Sequence, residues 1–565
     1  MGKKYLTFIL LHYIIYSFAQ TPTLEWVNTY GNSGNDWGSS IAIDAFGDIY
    51  NIGDFENTID FDSSGGVANL TSNGLRDIFI QKLDNNGSLI WAKSIGGVSN
   101  DNGKHVTIDT SGNVYLTGYF TGTVDFDPSA SIYNLTSHGE NDIYILKLDT
   151  NGSFLWAKAL GGTGYDNGKH LSIDTLGNIY ITGKFQQTVD FDPSSNTFYL
   201  TSTVLGNDDV FILKLDANGD FIWAKSFGGD NYDSGASIAI DSQNNIYITG
   251  SFRETTDFDP SSNTFYLTSN TQGIDDIYVL KLDTNGAFIW VKSFGGIWFD
   301  FGLSIAIDTF DNIYISSLFE DTVDFDPSSS LFELTSNGVG DISIQKLDSN
   351  GNFIWAKSLG GTSSDYGLSI NIDTNNDLYL TGYFENTVDF DNSSSIFNIT
   401  SNGNTDVFIQ KLDSNGDFIW ATSIGGVDYD RGLYIMSDNL GNVYTTGFYQ
   451  NSVDFDPSAT NHNLSSVGGS YDAFIQKLNT NTLSVDDSLE LTRNLTIYPN
   501  PTNDYVSIVG VSDLKIVEVI SITGKRVQYI ENANKRIDIS GLDAGIYFIK
   551  ITTENGILTT KIVKQ

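Results

Sequence analysis

The amino-acid sequence predicts an all-β protein, made of one antiparallel unit repeated many times and a separate small β domain. Three observations support this prediction. The triplet Asp-Phe-Asp recurs at steps of 65 or 67 residues, and a tryptophan recurs at the same steps. Between these markers lie short runs rich in Ile, Tyr, Phe and Val, separated by turn residues. Finally, the runs lack the 3.6-residue apolar period of an amphipathic helix.

The two markers count the repeats. The triplets begin at Asp60, Asp125, Asp190, Asp257, Asp324, Asp389 and Asp454. The tryptophans are Trp26, Trp91, Trp156, Trp223, Trp290, Trp355 and Trp420. Seven marks of each kind predict seven units.

Each unit is predicted to hold four strands, named a to d, as the fourth unit illustrates. Strand a is "SIAID" (237–241) and strand b is "IYITGSF" (246–252). The excursion 257–275 follows, and strand c is "DIYVLKLD" (276–283). The turn "TNG" then leads into strand d, "AFIWVKSFGG" (287–296), and its glycine suits the left-handed position of a hairpin turn.

The repeat explains an isolated segment near the N-terminus. Residues 23–31, "TLEWVNTYG", resemble a strand d, but no strands a, b and c precede them. The seventh unit supplies strands a, b and c, the last being "SYDAFIQKLN" (470–479), and then departs from the pattern. We therefore predict a seven-bladed β-propeller over residues 23–480, in which an N-terminal strand completes the seventh blade and removes the free edge.

The units resemble the bacterial seven-bladed β-propeller repeat family through segments such as "SIAIDTFDNIYIS" and "DISIQKLDSNGNFIWAKSLGG". The resemblance covers roughly residues 23–480, and it is specific because it recurs in register. Membership of such a family implies a fold more than an activity.

A different pattern begins after Thr480. Residues 481–494 are polar and without periodicity, which predicts a linker, and residues 495–565 contain about seven short strands, which predicts a small Ig-like β-sandwich. This last segment resembles the type A C-terminal sorting domain of the type IX secretion system. The matching residues are Tyr498-Pro499-Asn500-Pro501, Gly524-Lys525, Leu542 to Ile549 and Lys561 to Lys564. The resemblance implies that the type IX machinery reads residues 495–565 during export; an ordinary Ig-like domain would explain the strands but not these motifs.

The first residues predict a secretory signal peptide over residues 1–19. Lys3 and Lys4 precede an apolar run, and Ser17-Phe18-Ala19 offers small residues at the cleavage positions. No later segment reaches 18 apolar residues, so we expect no transmembrane segment. Signal and sorting segments together predict a protein that is secreted or displayed on the cell surface.

Composition excludes several classes of function. The chain has no cysteine, which rules out disulfides, thiolate metal sites and thiol catalysis. Its formal net charge of −40 repels phosphate backbones, so nucleic acid is not an expected partner. The same charge is compatible either with simple solubility or with attraction for cations.

The loops before strand a carry the first candidate ligand residues. Each loop ends in Asp-x-Gly, and the aspartates are Asp36, Asp101, Asp166, Asp233, Asp300, Asp365 and Asp430. Seven carboxylates around one axis would repel one another. They therefore either bind a cation or polyol, or turn aside to accept hydrogen bonds from their own loops.

The same loops carry aromatic residues that differ from unit to unit. The candidates are Trp37, Tyr165, Tyr232, Trp298, Phe299, Tyr366 and Tyr429. Aromatic rings among Asp and Asn suit stacking on sugar rings with hydrogen bonds to hydroxyls, and the cluster around Trp298 is the best single candidate. The alternative is that these rings fill gaps between blades.

The Asp-Phe-Asp-Pro-Ser motif raises a calcium hypothesis, because hard cations take clustered carboxylates. Yet it lacks the EF-hand string, and a turn cap with an inward phenylalanine explains the motif equally well. Calcium is thus a cofactor that the motif could hold, and no other cofactor is indicated.

Catalysis has little support, since no Ser/His/Asp arrangement or phosphate loop stands out among five histidines. We therefore predict an exported binding or adhesion module for an extracellular glycan. The alternatives are an enzyme acting on extracellular polysaccharide, as a hydrolase or lyase with a carboxylate pair, and a purely structural surface protein.

Overall fold

The structure is a computed structural model that describes residues 22–458, 461–480, 496–509, 514–521, 526–531, 535–553 and 556–565. The chain divides into two compact units, Met1–Thr480 and Asn481–Gln565. The predicted signal peptide (1–19) and the predicted linker (481–494) lie outside the described residues.

The first unit consists of β-strands joined by short turns and loops. Its strands begin with β1 (Thr23–Tyr30), β2 (Trp37–Ile43), β3 (Ile49–Asp60), β4 (Asn69–Leu83), β5 (Leu89–Ile95), β6 (Asn102–Ile108), β7 (Val114–Phe120), β8 (Thr123–Asp125), β9 (Asn134–Thr136), β10 (Asp142–Leu148), β11 (Phe154–Leu160), β12 (Asn167–Ile173), β13 (Ile179–Phe185), β14 (Thr188–Asp190), β15 (Tyr199–Thr201), β16 (Asp209–Leu215) and β17 (Phe221–Gly229). They continue with β18 (Ser234–Ile240), β19 (Ile246–Arg253), β20 (Thr255–Asp257), β21 (Tyr266–Thr268), β22 (Asp275–Leu282), β23 (Phe288–Phe294), β24 (Phe301–Ile307), β25 (Ile313–Phe319), β26 (Thr322–Asp324), β27 (Glu333–Thr335), β28 (Asp341–Leu347) and β29 (Phe353–Leu359). The last are β30 (Tyr366–Ile372), β31 (Leu378–Phe384), β32 (Thr387–Asp389), β33 (Asn398–Thr400), β34 (Asp406–Leu412), β35 (Phe418–Ile424), β36 (Arg431–Ser437), β37 (Asn442–Gln450), β38 (Ser452–Asp454), β39 (Asn463–Ser465) and β40 (Tyr471–Asn479).

These strands form antiparallel blades arranged around one axis. Within the described residues there are seven such blades, ordered from the innermost strand outward as β2-β3-β4-β5, β6-β7-β10-β11, β12-β13-β16-β17, β18-β19-β22-β23, β24-β25-β28-β29, β30-β31-β34-β35 and β36-β37-β40-β1. We number them blades 1 to 7. The innermost strand of each blade contacts that of the next, and β36 contacts β2, so the ring is closed. The predicted all-β propeller fold is confirmed.

The N-terminal strand completes blade 7. Strand β1 pairs antiparallel with β40, with Trp26 opposite Lys477. The Trp26 indole Nε1 donates to the carbonyl oxygen of Asn85 at 3.1 Å. In blade 1 the corresponding Trp91 Nε1 donates to the carbonyl of Thr150 at 3.2 Å. Trp26 therefore packs like the tryptophan of an uninterrupted strand d.

The turn between strands c and d has the predicted left-handed glycine, with φ between 74° and 80°. These glycines are Gly87, Gly152, Gly219, Gly286, Gly351 and Gly416. The tryptophan of the preceding blade lies directly against each one; a Cβ added to Gly416 would stand 2.9 Å from the Trp355 ring. Two constraints therefore require glycine at this position: the positive φ and the close contact with the tryptophan ring.

The Asp-Phe-Asp excursions contain small hairpins that were not predicted from the sequence. In the third unit β14 pairs with β15, and the hydroxyls of Thr188 and Thr201 lie 2.9 Å apart. In blade 1 the same hairpin is continuous with β3 and β4. The phenylalanine of every triplet is fully buried, as predicted, at Phe61, Phe126, Phe191, Phe258, Phe325, Phe390 and Phe455.

The hydrophobic core lies between neighbouring blades. One cluster joins Tyr115 and Ile143 of blade 2 to Leu171, Phe185 and Phe211 of blade 3, and equivalent clusters follow around the ring. Because each blade buries its two faces against its neighbours, the ring of blades is a rigid frame that carries the loops.

The second unit is also made of strands. Its described residues contain β41 (Thr496–Tyr498), β42 (Tyr505–Val509), β43 (Ile516–Ser521), β44 (Arg526–Glu531), β45 (Arg536–Asp538), β46 (Gly545–Thr553) and β47 (Gly556–Lys564). They form two sheets, ordered β41-β42-β45 and β44-β43-β46-β47, which share one core. Across both units, the described residues include no helix with the length and hydropathy needed to span a bilayer.

Candidate functional site

The connectivity of the blades places two sets of loops on one face of the disc. The loops from strand d to the next strand a lie there together with the Asp-Phe-Asp hairpins, and we call it the loop face. The loop before blade 3 lies against blade 2, where Tyr165 bridges to Asn141. The end of strand β17 pairs antiparallel with β20 in the hairpin of the next unit, with Gly228 opposite Asp257. Variable loops on a rigid frame are where binding sites usually occur.

The Asp-x-Gly aspartates are buried caps and not surface ligands. In blade 3, Asp166 Oδ2 accepts from the Gly162 amide at 2.7 Å, and its Oδ1 accepts from the Gln186 amide at 3.0 Å. All seven carboxylates accept from the backbone amide four residues before them and from the amide 20 residues after them. None of the seven is exposed. They are Asp36, Asp101, Asp166, Asp233, Asp300, Asp365 and Asp430. Both oxygens of each carboxylate accept from loop amides inside the protein, which supports the alternative in which these aspartates turn aside as caps.

Burial favours the protonated, neutral form of these carboxyl groups. It raises the pKa of Asp166 to about 7 and that of Asp233 to about 8, against the backbone amides that lower it. A second set of buried carboxyls, which the sequence analysis did not single out, begins strand c at Asp77, Asp142, Asp209, Asp276, Asp341, Asp406 and Asp472. Desolvation raises their pKa values as well, to about 6 for Asp209.

The predicted aromatic residues divide into two groups. Four are exposed on the loop face, namely Tyr165, Tyr232, Trp298 and Tyr429, with Trp298 at 52 %. Trp37, Phe299 and Tyr366 are partly buried instead. The first group can meet a ligand, whereas the second group mainly packs within the protein.

The partly buried rings form contacts with cations and other rings. The Arg76 guanidinium lies 3.9 Å from the centre of the Trp37 ring. Tyr366 stacks on Tyr383 at 4.8 Å, and Arg431 covers Tyr383 at 4.1 Å. These contacts agree with the alternative in which such rings fill space between blades.

Trp298 lines a cavity of about 440 Å³ on the loop face. The other lining residues are Glu320, Asp321, Ser336, Gly338 and Val339. The cavity therefore combines an exposed indole with two carboxylates, and burial raises the pKa of Glu320 above its ordinary value. Such a site offers a flat apolar surface beside hydrogen-bond acceptors.

A second set of residues surrounds the axis on the loop face. On each innermost strand the residue after the Asp-x-Gly glycine lies in a β-bulge, and we call these seven residues the axial mouth: Ser39, Lys104, Lys169, Ala236, Leu303, Leu368 and Leu433. Blades 2 and 3 contribute the two lysines, and blades 5, 6 and 7 contribute leucines. The sequence analysis missed this ring, although its signal was a lysine or leucine where otherwise similar units differ.

Two histidines and a tyrosine close the axis one residue further along these strands. The rings of His105 and His170 stack with centroids 3.7 Å apart, and His105 Nε2 lies 3.0 Å from the Tyr434 hydroxyl. Burial lowers the pKa of His170 to about 4 and that of His105 well below its usual range, so both imidazoles are neutral at pH 7. Neither histidine was among the residues predicted to form a site.

The described residues lack the ligand clusters that a metal site requires. They contain no group of three or more His, Cys, Asp or Glu side chains arranged to hold a metal ion. In the Asp-Phe-Asp motif, Asp190 Oδ1 accepts from the amides of Asp192 and Phe198 at 3.1 and 2.8 Å. The motif therefore acts as a turn cap.

Two family matches agree with this architecture. Residues 496–565 match the family described as "Secretion system C-terminal sorting domain". Residues 90–122, 155–184 and 222–251 match the family described as "Beta-propeller repeat". The first match indicates export to the cell surface or secretion, and the second agrees with the blades.

Curated relatives are distant. The chain is 25 % identical over 442 residues to "Uncharacterized WD repeat-containing protein L264" of Acanthamoeba polyphaga mimivirus, covering 65 % of this chain and 32 % of that protein. It is 24 % identical over 500 residues to "Regulatory protein FlaEY" of Caulobacter vibrioides, covering 84 % and 48 %. The chain thus spans 32 % and 48 % of the lengths of these two relatives.

Solved structures with similarity include the Pan2 WD40 domain of Neurospora crassa, at 9 % identity and a TM-score of 0.36, covering 80 % of this chain and 97 % of that chain. PorZ, a surface component of the type IX secretion system of Porphyromonas gingivalis, has 11 % identity and a TM-score of 0.30, covering 95 % and 75 %. Scores this low carry no functional argument. The repeats and the terminal match together identify the chain as an exported β-propeller repeat protein with a type IX secretion C-terminal sorting domain.

Proposed function

We propose that the propeller is a carbohydrate-binding or adhesion module, delivered by type IX secretion, whose loop face meets an extracellular glycan. The observation that carries the proposal is the half-exposed Trp298 beside Glu320 and Asp321 in one cavity. Residues 495–565 are proposed as the sorting domain that engages the machinery, residues 23–480 as the propeller, and residues 481–494 as the linker.

The chemistry of the cavity suits a sugar. The apolar face of a pyranose can stack on the indole, and carboxylate oxygens accept hydrogen bonds from its hydroxyls. A single exposed cavity of this kind gives weak binding. Tyr165, Tyr232 and Tyr429 are exposed in equivalent loops around the same face, so a polymer can contact several loops at once and gain affinity from multivalency.

A glycan array probed with the whole exported protein tests the proposal. Trp298→Ala should lower binding to the retained glycans at least tenfold, because the stacking surface is lost. Phe310→Ala is the matched control, since Phe310 is equally a large exposed ring (75 %) but lies in a turn on the opposite face. Equal binding by Trp298→Ala and the parent protein, or an array without any retained glycan, would contradict the proposal and favour the purely structural role.

A second candidate is hydrolysis or lyase cleavage of an extracellular polysaccharide. Its support is that Glu320, whose pKa burial raises, shares the cavity with Asp321. A carboxyl group with a raised pKa beside a second carboxyl group is an arrangement used in acid–base catalysis. Release of reducing ends that Glu320→Gln abolishes would favour this candidate, and binding without any release would reject it.

A further inference from the structure

The axial mouth holds two lysines that form no close ion pair, although Asp54 lies near Lys104 and Asp208 lies near Lys169. Lys104 and Lys169 occupy equivalent positions on the neighbouring strands β6 and β12. Within the part of the chain that the structure describes, no carboxylate oxygen lies within 4.0 Å of either ammonium, and Lys169 Nζ donates only to the Ser234 hydroxyl, at 2.7 Å. Both side chains are partly buried. Two adjacent, partly desolvated cations are unfavourable unless an anion joins them.

Three other cations nearby form close ion pairs, whereas Arg431 on the innermost strand β36 covers the Tyr383 ring at 4.1 Å. Arg76 pairs with Asp54 at 3.0 Å. Lys184 pairs with Asp208 at 2.6 Å, and Arg253 pairs with Asp275 at 2.5 Å. Lys104 and Lys169 therefore differ from the three paired cations in having no carboxylate oxygen within 4.0 Å, in a protein whose net charge is −40.

The pKa values of both lysines are lowered from the ordinary value for lysine. Burial and the neighbouring charges of Lys184 and Lys104 lower the pKa of Lys169 to about 8. The pKa of Lys104 is also lowered, chiefly by burial. A bound anion would reverse these effects and keep both groups charged.

The opposite side of the mouth is apolar. Leu303, Leu368 and Leu433 stand at the same positions on blades 5, 6 and 7, which face blades 2 and 3 across the axis. Below them, the Nδ1 atoms of His105 and His170 are buried and lack a hydrogen-bond partner. The mouth thus has a cationic half, an aliphatic half and unused polar atoms at its base.

We propose that the axial mouth binds a small organic carboxylate, with its carboxylate between Lys104 and Lys169 and its apolar body against the three leucines. This site is distinct from the Trp298 cavity and does not depend on glycan binding. A long polyanion is disfavoured because the surrounding protein is strongly acidic, whereas a single small carboxylate can lie between the two lysines alone. The leucines would then add affinity through burial of apolar surface.

Isothermal titration of the whole protein at pH 7 with phenylacetate as probe tests the proposal. Acetate lacks the apolar body and 2-phenylethanol lacks the charge, so each should bind at least tenfold more weakly. The double substitution Lys104→Met and Lys169→Met should remove phenylacetate binding. The matched control, Lys93→Met with Lys225→Met, changes two lysines on outer strands and should leave it unchanged.

Two further variants separate binding from folding. Lys104→Arg keeps the charge and should retain binding within a few-fold, whereas Leu368→Ser should weaken phenylacetate but not acetate. Phenylacetate binding should also decline above pH 8, as the lysines lose their protons. The proposal is overturned if phenylacetate does not bind, if the double methionine variant binds it as well as the control does, or if the neutral alcohol binds equally.

Discussion

The side chain of Trp26 gives a direct test of ring closure, because its removal should destabilise the propeller as much as removal of the equivalent side chain in an uninterrupted blade. The chosen change is Trp26→Ala. The indole ring lies against Gly87, its Nε1 donates to the Asn85 carbonyl at 3.1 Å, and its centre is 6.2 Å from that of Tyr444. Each of these contacts joins the N-terminal strand to another part of the ring.

The expected loss follows from these contacts. Truncation of a fully buried Trp to Ala costs about 3–5 kcal/mol, and Trp26 is only partly buried, so we take ~2 kcal/mol. The lost hydrogen bond adds ~1 kcal/mol. With an unfolding entropy of ~2.1 cal/mol/K per residue over about 450 residues, a loss of ~3 kcal/mol lowers the Tm by ~3 °C.

Differential scanning calorimetry of the whole protein measures this shift, and Trp91→Ala is the matched control. Trp91 makes the same contact with the next blade, donating to Thr150 at 3.2 Å, but lies on a strand that chain connectivity already holds. The two variants should lose similar stability. Deletion of residues 23–31 should lower the Tm further and promote association through the exposed edge of β40. A Trp26→Ala variant as stable as the parent, beside a destabilised Trp91→Ala, would refute closure by β1.

Three other predictions concern the buried carboxyls and the turn glycines. Burial raises the pKa of Asp36 to about 7 and that of Asp300 to about 8, so between about pH 4 and pH 8 the folded state holds more protons than the unfolded state, and stability should fall as the pH rises through this window; a Tm higher at pH 8 than at pH 5 would contradict this. Asp233→Asn should cost about 1–3 kcal/mol in urea unfolding, because its amide nitrogen would face a backbone N–H donor, either that of Gly229 or that of Arg253. Gly416→Ala should lower the Tm more than Gly206→Ala, since both glycines have positive φ but only Gly416 lies against a ring; equal shifts would show that the backbone angle alone matters.

The fold was predictable because its determinants are local and repeated. The Asp-x-Asn-Gly turns, the inward phenylalanine of each triplet and the recurring tryptophan each fix one feature of a blade, and each recurs in register. The orphan strand containing Trp26 could be placed because the seventh unit lacks a strand d. The small hairpins within the excursions were missed, because strands as short as Thr188–Asp190 carry little pattern of their own.

The candidate site was less predictable, because exposure depends on partners distant in sequence. The capping role of Asp166 requires the amide of Gln186, which lies at the end of another strand. Trp37 and Trp298 stand in equivalent loops, yet the guanidinium of Arg76 covers Trp37 while Trp298 borders an open cavity. Trp37 directly follows Asp36 and Trp298 precedes Asp300 by two residues, but neither position reveals which partner covers the ring.

The pairing of β1 with β40 also has a kinetic consequence. The hydrogen bond between the Asn479 amide and the Glu25 carboxylate joins residues 454 positions apart in the chain. Contacts of such long range slow folding, since the entropy of closing the loop is lost before the contact forms. Blade 7 can therefore assemble only when the whole repeat array is available, and until then β40 offers an unpaired edge to other chains.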